Sequence, residues 1–137
     1  MRLDEDACWA RVAEARHGIL GTSHPHRGVD AVPVVFAMAG RQVVIPVDAV
    51  KPKSGPRLQR LENLDRDPRV VLLVEHYDDD WAQLWWVRIH GRAAEAPVTA
   101  EHHALLAERY PQYADAASIT STIALMPEQV TGWAAGP

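Results

Sequence analysis

Six apolar runs rich in β-branched residues follow one another through short connections, and this spacing constrains the fold more than any other feature. We expect strands at residues 19–23, 29–38, 41–47, 69–77, 81–96 and 118–126. Apolar residues at helical spacing predict three helices between them, at 4–17, 57–65 and 99–110. Strands this close in sequence pair antiparallel. The pattern therefore predicts one mainly antiparallel α+β domain over residues 1–137, with the strands forming a barrel.

Two prolines interrupt predicted strands. Pro33 lies in the second run and Pro46 in the third, and each removes one donor from the backbone hydrogen-bond ladder. Such prolines are typical of sheet edges and bulges, so we expect both strands to border an irregular part of the barrel.

The composition excludes several classes of protein. A chain of 137 residues with 47% hydrophobic and 23% charged residues is typical of a soluble globular domain. Its net charge of −4 argues against nucleic acid as a partner. The apolar stretches are too short to cross a membrane, and the acidic N-terminus does not resemble a secretory signal. We therefore expect a cytoplasmic protein without a membrane or nucleic-acid partner.

A basic cluster stands out in this acidic chain. Four cations lie within ten residues on a segment rich in proline and glycine that leads into a helix: Lys51, Lys53, Arg57 and Arg60. Converging donors and a helix entrance suit phosphate, which arginine binds bidentately. A solvated basic face beside neighbouring acidic residues is an equally good interpretation of the residues alone.

Tryptophans are concentrated in the fifth run. Trp85 and Trp86 are adjacent, so in a strand their side chains point to opposite faces of the sheet. One therefore fills the core, while the other contacts a second subunit or forms a wall for a flat ring. We favour core and interface roles over direct stacking on a cofactor.

Motifs for other chemistries are missing from the sequence. His24 and His26, like His102 and His103, lack the spacing of metal ligands, so no metal site is predicted. The chain has no G-x-S-x-G, P-loop or G-x-G-x-x-G motif. No side chain is assigned a catalytic acid or base role.

The order of elements and two motifs together resemble the pyridoxamine 5′-phosphate oxidase-like split-barrel superfamily. Residues 63–70 read N-L-D-R-D-P-R-V, similar to the family's N-L-x-x-D-P-R-V junction. The stretch H-Y-D-D-D-W…L-W-W-V-R-x-x-G-R-A is similar to actinobacterial members assigned to the deazaflavin coenzyme F420. The resemblance covers nearly the whole chain.

The resemblance implies a six-stranded split barrel with flanking helices, as a homodimer with two cofactor sites at the subunit interface. Arg60 stands near the position of the family's phosphate-binding lysine, with Arg57, Lys53 and Lys51 supplementing it. Segment 45–48 resembles the backbone that borders the cofactor ring system, and segment 32–33 lies across from it. These segments contribute four site residues: Val32, Pro33, Pro46 and Val47.

Aromatic residues complete the implied site. Trp81 or Trp85 would come from the partner subunit, and Trp133 resembles a tail aromatic that returns to the pocket. The predicted activity is hydride transfer from reduced F420 to a small-molecule acceptor that the sequence does not identify. The phosphate and glutamate groups of the F420 tail match four cations better than the single phosphate of FMN does. An FMN-dependent oxidase or reductase and a non-catalytic F420 carrier are the alternatives.

Overall fold

The computed structural model describes residues 1–49 and 57–136. Three α-helices flank the sheet: α1 (Glu5–Glu14), α2 (Gln59–Arg66) and α3 (Ala100–Arg109). The seven strands are β1 (Gly18–His24), β2 (Gly28–Val34), β3 (Ala37–Ala39), β4 (Gln42–Asp48), β5 (Arg69–His76), β6 (Trp85–Ala96) and β7 (Ile119–Ala134). Short 3-10 turns lie at Trp81–Gln83, Pro111–Tyr113 and Ala116–Ser118.

All seven strands belong to one antiparallel sheet in the order β2-β1-β5-β6-β7-β4-β3. The two edge strands, β2 and β3, are separated along the chain by residues 35 and 36 alone. Three peptide units span at most about 11 Å, so the sheet must curl until its edges come close together. The result is a barrel that is split between β2 and β3.

Alternation along the strands builds the core. Leu20, Leu72 and Ile89 are fully buried on β1, β5 and β6, where these strands lie side by side. Helix α1 adds Cys8, Trp9 and Val12 to this cluster, and α2 adds Leu61 and Leu64. A second, smaller cluster forms where Leu106 of α3 packs on Ala37, Val44 and Ile119.

The structure corrects the predicted strand count from six to seven. The run 29–38 is not one strand, because the chain passes from one sheet edge to the other at Phe36. Phe36 is fully buried, and its backbone N–H and C=O lie 3.4 and 3.0 Å from the Tyr110 hydroxyl instead of in a strand ladder. The predicted strand at 81–96 begins only at Trp85, because Trp81–Gln83 forms a 3-10 turn.

The last strand is longer than predicted and continues past Pro127 to Ala134. The pairing of β6 with β7 shifts register between His90 and Gly91, and Gly91 lies opposite Pro127. The bulge accommodates the missing donor of Pro127. A Cβ atom at Gly91 would lie 2.2 Å from the carbonyl oxygen of Met126, so only glycine fits at this position.

Candidate functional site

A cavity of about 260 Å³ lies at the split of the barrel, beside α2. It is formed by residues from the start of β1, the end of β2, the end of β4, helix α2 and the turn after α3. The lining residues are His17, Pro33, Val34, Val35, Pro46, Asp48, Arg60 and Tyr113. Three residues predicted from the sequence, Pro33, Pro46 and Arg60, therefore meet in one cavity.

Arg60 is the cation of this cavity. Its side chain is half-buried, and its Nε atom is shielded from solvent without a hydrogen-bond partner in the part of the chain that the structure describes. Burial lowers the pKa of the guanidinium, and the nearby Asp48 carboxylate opposes this shift. A desolvated guanidinium with an unpaired N–H is costly to the free protein. An anionic ligand with several acceptor oxygens would supply the missing partner.

Helix α2, which carries Arg60, is fixed by the buried side chain of Asn63. The Asn63 amide donates to the Thr22 hydroxyl at 2.9 Å and to the Asp30 carboxylate at 2.8 Å. Its carbonyl oxygen accepts from the Gln59 amide at 2.9 Å. Two of these contacts reach β1 and β2, so the sheet sets the position of α2 and hence of Arg60.

A tyrosine–carboxylate pair forms the opposite wall. The Tyr113 hydroxyl donates to Asp48 at 2.7 Å, and burial together with this hydrogen bond raises the pKa of Tyr113. The carbonyl of Tyr113 lies 2.7 Å from Nε2 of His103, which connects the tyrosine backbone to α3. Tyr113 therefore stays protonated and holds the Asp48 carboxylate in place beside Arg60.

Arg57 lies outside the cavity lining. It donates to Glu95 at 2.7 Å and also pairs with Asp65, and these two carboxylates raise the pKa of Arg57. An anion would have to compete with both acids for this guanidinium. Lys51 and Lys53 lie outside the described residues. The proposed contacts of these three cations with a cofactor remain predictions.

The valines named from the sequence face the protein interior. Val47 is buried in the main core cluster, and Val32 packs against it. Within one chain, neither side chain lines the Arg60 cavity.

The three candidate tryptophans also lie away from the Arg60 cavity of their own chain. Trp81 is 66% exposed on its 3-10 turn, and Trp133 is 38% exposed on β7 opposite Trp86. Trp85 packs partly against the core, whereas Trp86 faces Arg88, whose guanidinium carbon lies 4.5 Å from the ring centroid. The opposed orientations of Trp85 and Trp86 agree with the prediction. Contact of a tryptophan with a cofactor remains a prediction.

A larger open groove of about 770 Å³ lies between the end of α1, the end of β5 and the start of β6, with Trp85 in its wall. Arg11 and Arg16 line it together with Glu14 and Glu75, so opposite charges balance there. This groove is less suited to an anion than the smaller cavity around Arg60.

His17, Val35 and Tyr113 were not predicted from the sequence. They come from three separate parts of the chain, and none belongs to a recognisable motif. Tyr113 follows α3 in an irregular segment, so only the folded chain shows that it faces Asp48, 65 residues earlier.

Within residues 1–49 and 57–136, no group of three or more histidine, cysteine, aspartate or glutamate side chains is arranged to hold a metal ion. No helix in these two ranges is both long enough and apolar enough to span a membrane.

Comparison with known protein families gives one match over most of the chain. The model of the family described as pyridoxamine 5′-phosphate oxidase matches residues 5–134. No curated protein is significantly similar in sequence.

Solved structures share the fold at low sequence identity. A conserved hypothetical protein from Mycobacterium tuberculosis superimposes with a TM-score of 0.77 at 20% identity, covering 97% of this chain and 86% of that one. An FAD-binding protein from Mesorhizobium loti superimposes with a TM-score of 0.73 at 18% identity, covering 96% of this chain and 95% of that one. An FAD-binding protein from Mycobacterium smegmatis superimposes with a TM-score of 0.67 at 18% identity, covering 97% of this chain and 96% of that one.

Proposed function

Since the chain belongs to the pyridoxamine 5′-phosphate oxidase family, we propose that it is an oxidoreductase that binds the deazaflavin coenzyme F420 and reduces a small-molecule acceptor. The observation that carries this proposal is the buried Nε of Arg60, which has no hydrogen-bond partner among residues 1–49 and 57–136 and lies in a cavity bordered by Pro33 and Pro46.

The residues of the cavity fit a phosphorylated flavin-type cofactor. Arg60 supplies the charge and planar donors that phosphate requires. Pro33 on β2 and Pro46 on β4 supply apolar surface. When bound, such a cofactor supplies two-electron hydride chemistry, while the protein positions it, neutralises its charge and excludes water. The two similar structures described as FAD-binding support a cofactor of the flavin type.

The preference for F420 over FMN rests on charge. F420 carries a phosphate and glutamate carboxylates, whereas FMN carries one phosphate. Arg60 provides one half-buried site for an anion, and the sequence places Lys51 and Lys53 a few residues before it. The similarity of the segment around Trp81–Trp86 to F420-dependent proteins points in the same direction.

We also propose that the protein acts as a homodimer with its cofactor sites at the subunit interface. Leu20 and Leu72 point into the core, so the alternating residues Ile19, Val71 and Leu73 face outward on the neighbouring strands β1 and β5. This outer face adjoins the cavity through β2, where Pro33 pairs with Ile19. Apolar surface next to a binding site is typical of a subunit interface.

The decisive experiment is a fluorescence titration of the purified protein with F420 and FMN side by side, followed by assays of reduced F420 with a panel of acceptors. Tighter binding of F420 together with turnover supports the proposal. Tighter binding of FMN indicates the flavin alternative, and F420 binding without turnover indicates a carrier. A monomer mass at micromolar concentration would contradict the dimer.

A further inference from the structure

A second cavity adjoins the Arg60 cavity. It has a volume of about 310 Å³ and is lined by Val35, Asp48, Tyr110, Gln112, Tyr113 and Ser118. Three of these residues, Val35, Asp48 and Tyr113, line both cavities. The two cavities are therefore neighbours with a shared wall, and a molecule bound in one would lie beside a molecule bound in the other.

The second cavity is suited to a flat ring. The rings of Tyr110 and Tyr113 lie edge to face with centroids 6.2 Å apart, and Val35 adds apolar surface. Both hydroxyls are already engaged, that of Tyr110 with the Arg16 carbonyl at 2.7 Å and that of Tyr113 with Asp48 at 2.7 Å. The tyrosines therefore offer ring surface and do not need hydrogen bonds from a ligand.

Polar groups in this cavity are few and do not favour an anion. The Ser118 hydroxyl donates to the Asp115 carbonyl at 2.5 Å, and the exposed Gln112 side chain lies at the rim. Among the described residues, the lining includes the Asp48 carboxylate and no lysine or arginine. Asp48 lines both cavities, but among the described residues only the first cavity also contains Arg60 to balance that charge. The first cavity therefore suits an anion and the second an uncharged molecule.

We propose that the second cavity binds the acceptor and that the acceptor is an uncharged, flat ring compound held between Val35 and the two tyrosines. The acceptor role rests on the proposed function, whereas the binding preference rests on the cavity itself. An acceptor there gains a hydride from the reduced cofactor at its electron-poor carbon and a proton from water at the adjacent atom of the double bond. Tyr113, with its raised pKa beside a carboxylate, is a positioning residue and holds the wall between the two sites.

Two matched probes test the binding preference without any turnover. 2-Naphthol is flat and uncharged at neutral pH, and 2-naphthoate has the same rings with a carboxylate. We expect saturation-transfer NMR to show 2-naphthol binding about fivefold or more tightly than 2-naphthoate, because Asp48 repels the anion. Equal affinities, or tighter binding of the naphthoate, would overturn the charge argument.

Two substitutions locate the site. Gln112→Phe and Ser118→Phe each place a ring in the second cavity, and neither Gln112 nor Ser118 lines the first. Each is expected to weaken 2-naphthol binding about tenfold through steric conflict. Gln129→Phe, at an exposed position on β7, is the control and should leave the affinity unchanged. Melting curves establish whether each variant is folded. If one Phe variant does not fold, the 2-naphthol affinity of the other still shows whether the second cavity is the binding site.

A competition experiment separates this inference from the cofactor proposal. With F420 at saturation, 2-naphthol should still bind, and both Phe variants should keep the F420 affinity of the wild type. Displacement of 2-naphthol by F420 would show that the two cavities form one cofactor site, and the inference would then be wrong although the cofactor proposal stands. If the wild type binds neither F420 nor FMN, the cofactor proposal fails, and the naphthol result is judged on its own.

Discussion

Replacing Arg60 by methionine should stabilise the free protein and weaken its ligand binding at the same time. Methionine replaces the arginine side chain with apolar atoms as far as the position of Nε and removes the desolvated guanidinium. The substitution removes the shielded Arg60 Nε, which has no partner among the described residues of the free protein. The bound protein loses the charge that we propose to contact phosphate.

The size of the stability gain follows from the environment of Arg60. An unsatisfied buried polar group costs about 1–3 kcal/mol, and because Arg60 is only half-buried and Asp48 lies nearby, we take about 1 kcal/mol. A chain of 137 residues unfolds with an entropy of about 0.29 kcal/mol/K, so the variant should melt about 3–4 °C higher.

The size of the binding loss follows from the lost contact. A hydrogen bond to a charged group contributes about 1.5–3 kcal/mol, which corresponds to a Kd raised about 10- to 150-fold. At a cofactor concentration 100 times the wild-type Kd, the wild type gains about 2.7 kcal/mol, or about 9 °C in melting temperature. The variant should gain only about 0.3–1.4 kcal/mol at the same concentration.

The assay is a thermal melt by circular dichroism with and without F420, combined with a fluorescence titration. Arg66→Met is the matched control, because Arg66 is exposed on the same helix and does not line the cavity. This control should shift the melting temperature of the free protein by no more than about 2 °C. Its stabilisation by F420 should equal that of the wild type. If Arg60→Met melts below the wild type, or if F420 stabilises both equally, the reasoning about Arg60 is refuted.

Three further predictions concern the scaffold. Asn63→Leu should destabilise the fold by about 2–3 kcal/mol in urea titrations, because the buried Thr22 hydroxyl and an Asp30 oxygen lose their donor; an unchanged midpoint would contradict the anchoring role of Asn63. Gly91→Ala should lower the free energy of unfolding by about 3 kcal/mol because of the clash with the Met126 carbonyl. Gly40→Asn should lower it by less than about 1 kcal/mol, because Gly40 has a φ of 63° and open space around it. Arg27 and Asn63 lower the pKa of Asp30 to about 2, so the stabilisation from this carboxylate is present above about pH 4 and is lost as the pH falls toward 2. In Arg27→Gln, the free energy of unfolding should fall less steeply as the pH is lowered from about 4 toward 2. An unchanged pH dependence in this range would contradict the contribution of Asp30.

Local sequence patterns predicted most of the fold because the strands and helices are set by nearby residues. Leu61 and Leu64 define the buried side of α2, and Thr99 accepts from the backbone of His102 as the N-cap of α3. The break at Phe36 was not predictable in this way. The apolar run there is continuous, and the break depends on the Tyr110 hydroxyl, 74 residues further along the chain.

The candidate site was predictable only where residue type alone indicates its role. Pro33 and Pro46 marked irregular strands, and the structure places both in the lining of the Arg60 cavity. Tyr113 gave no such signal, because one tyrosine in an irregular segment has no spacing to interpret. Its contact with Asp48 exists only after β4 and the turn that follows α3 have been brought together.

In the basic cluster, the number of charges does not show which cation is available to bind an anion. Arg57 and Arg60 are three residues apart and look equivalent in sequence. Folding nevertheless brings Glu95, 38 residues away, to Arg57, whereas the described part of the chain brings no partner to the Nε of Arg60. The acids that pair with Arg57 contribute to the fold, because they connect the start of α2 to β6. Among the described residues, Arg60 makes no such contact through its Nε, and the nearby Asp48 carboxylate offsets only part of the cost of its burial. A cation kept in place at such a cost by a fixed helix is better explained by a ligand than by stability. For this reason the anion proposal rests on Arg60 and not on the number of cations around it.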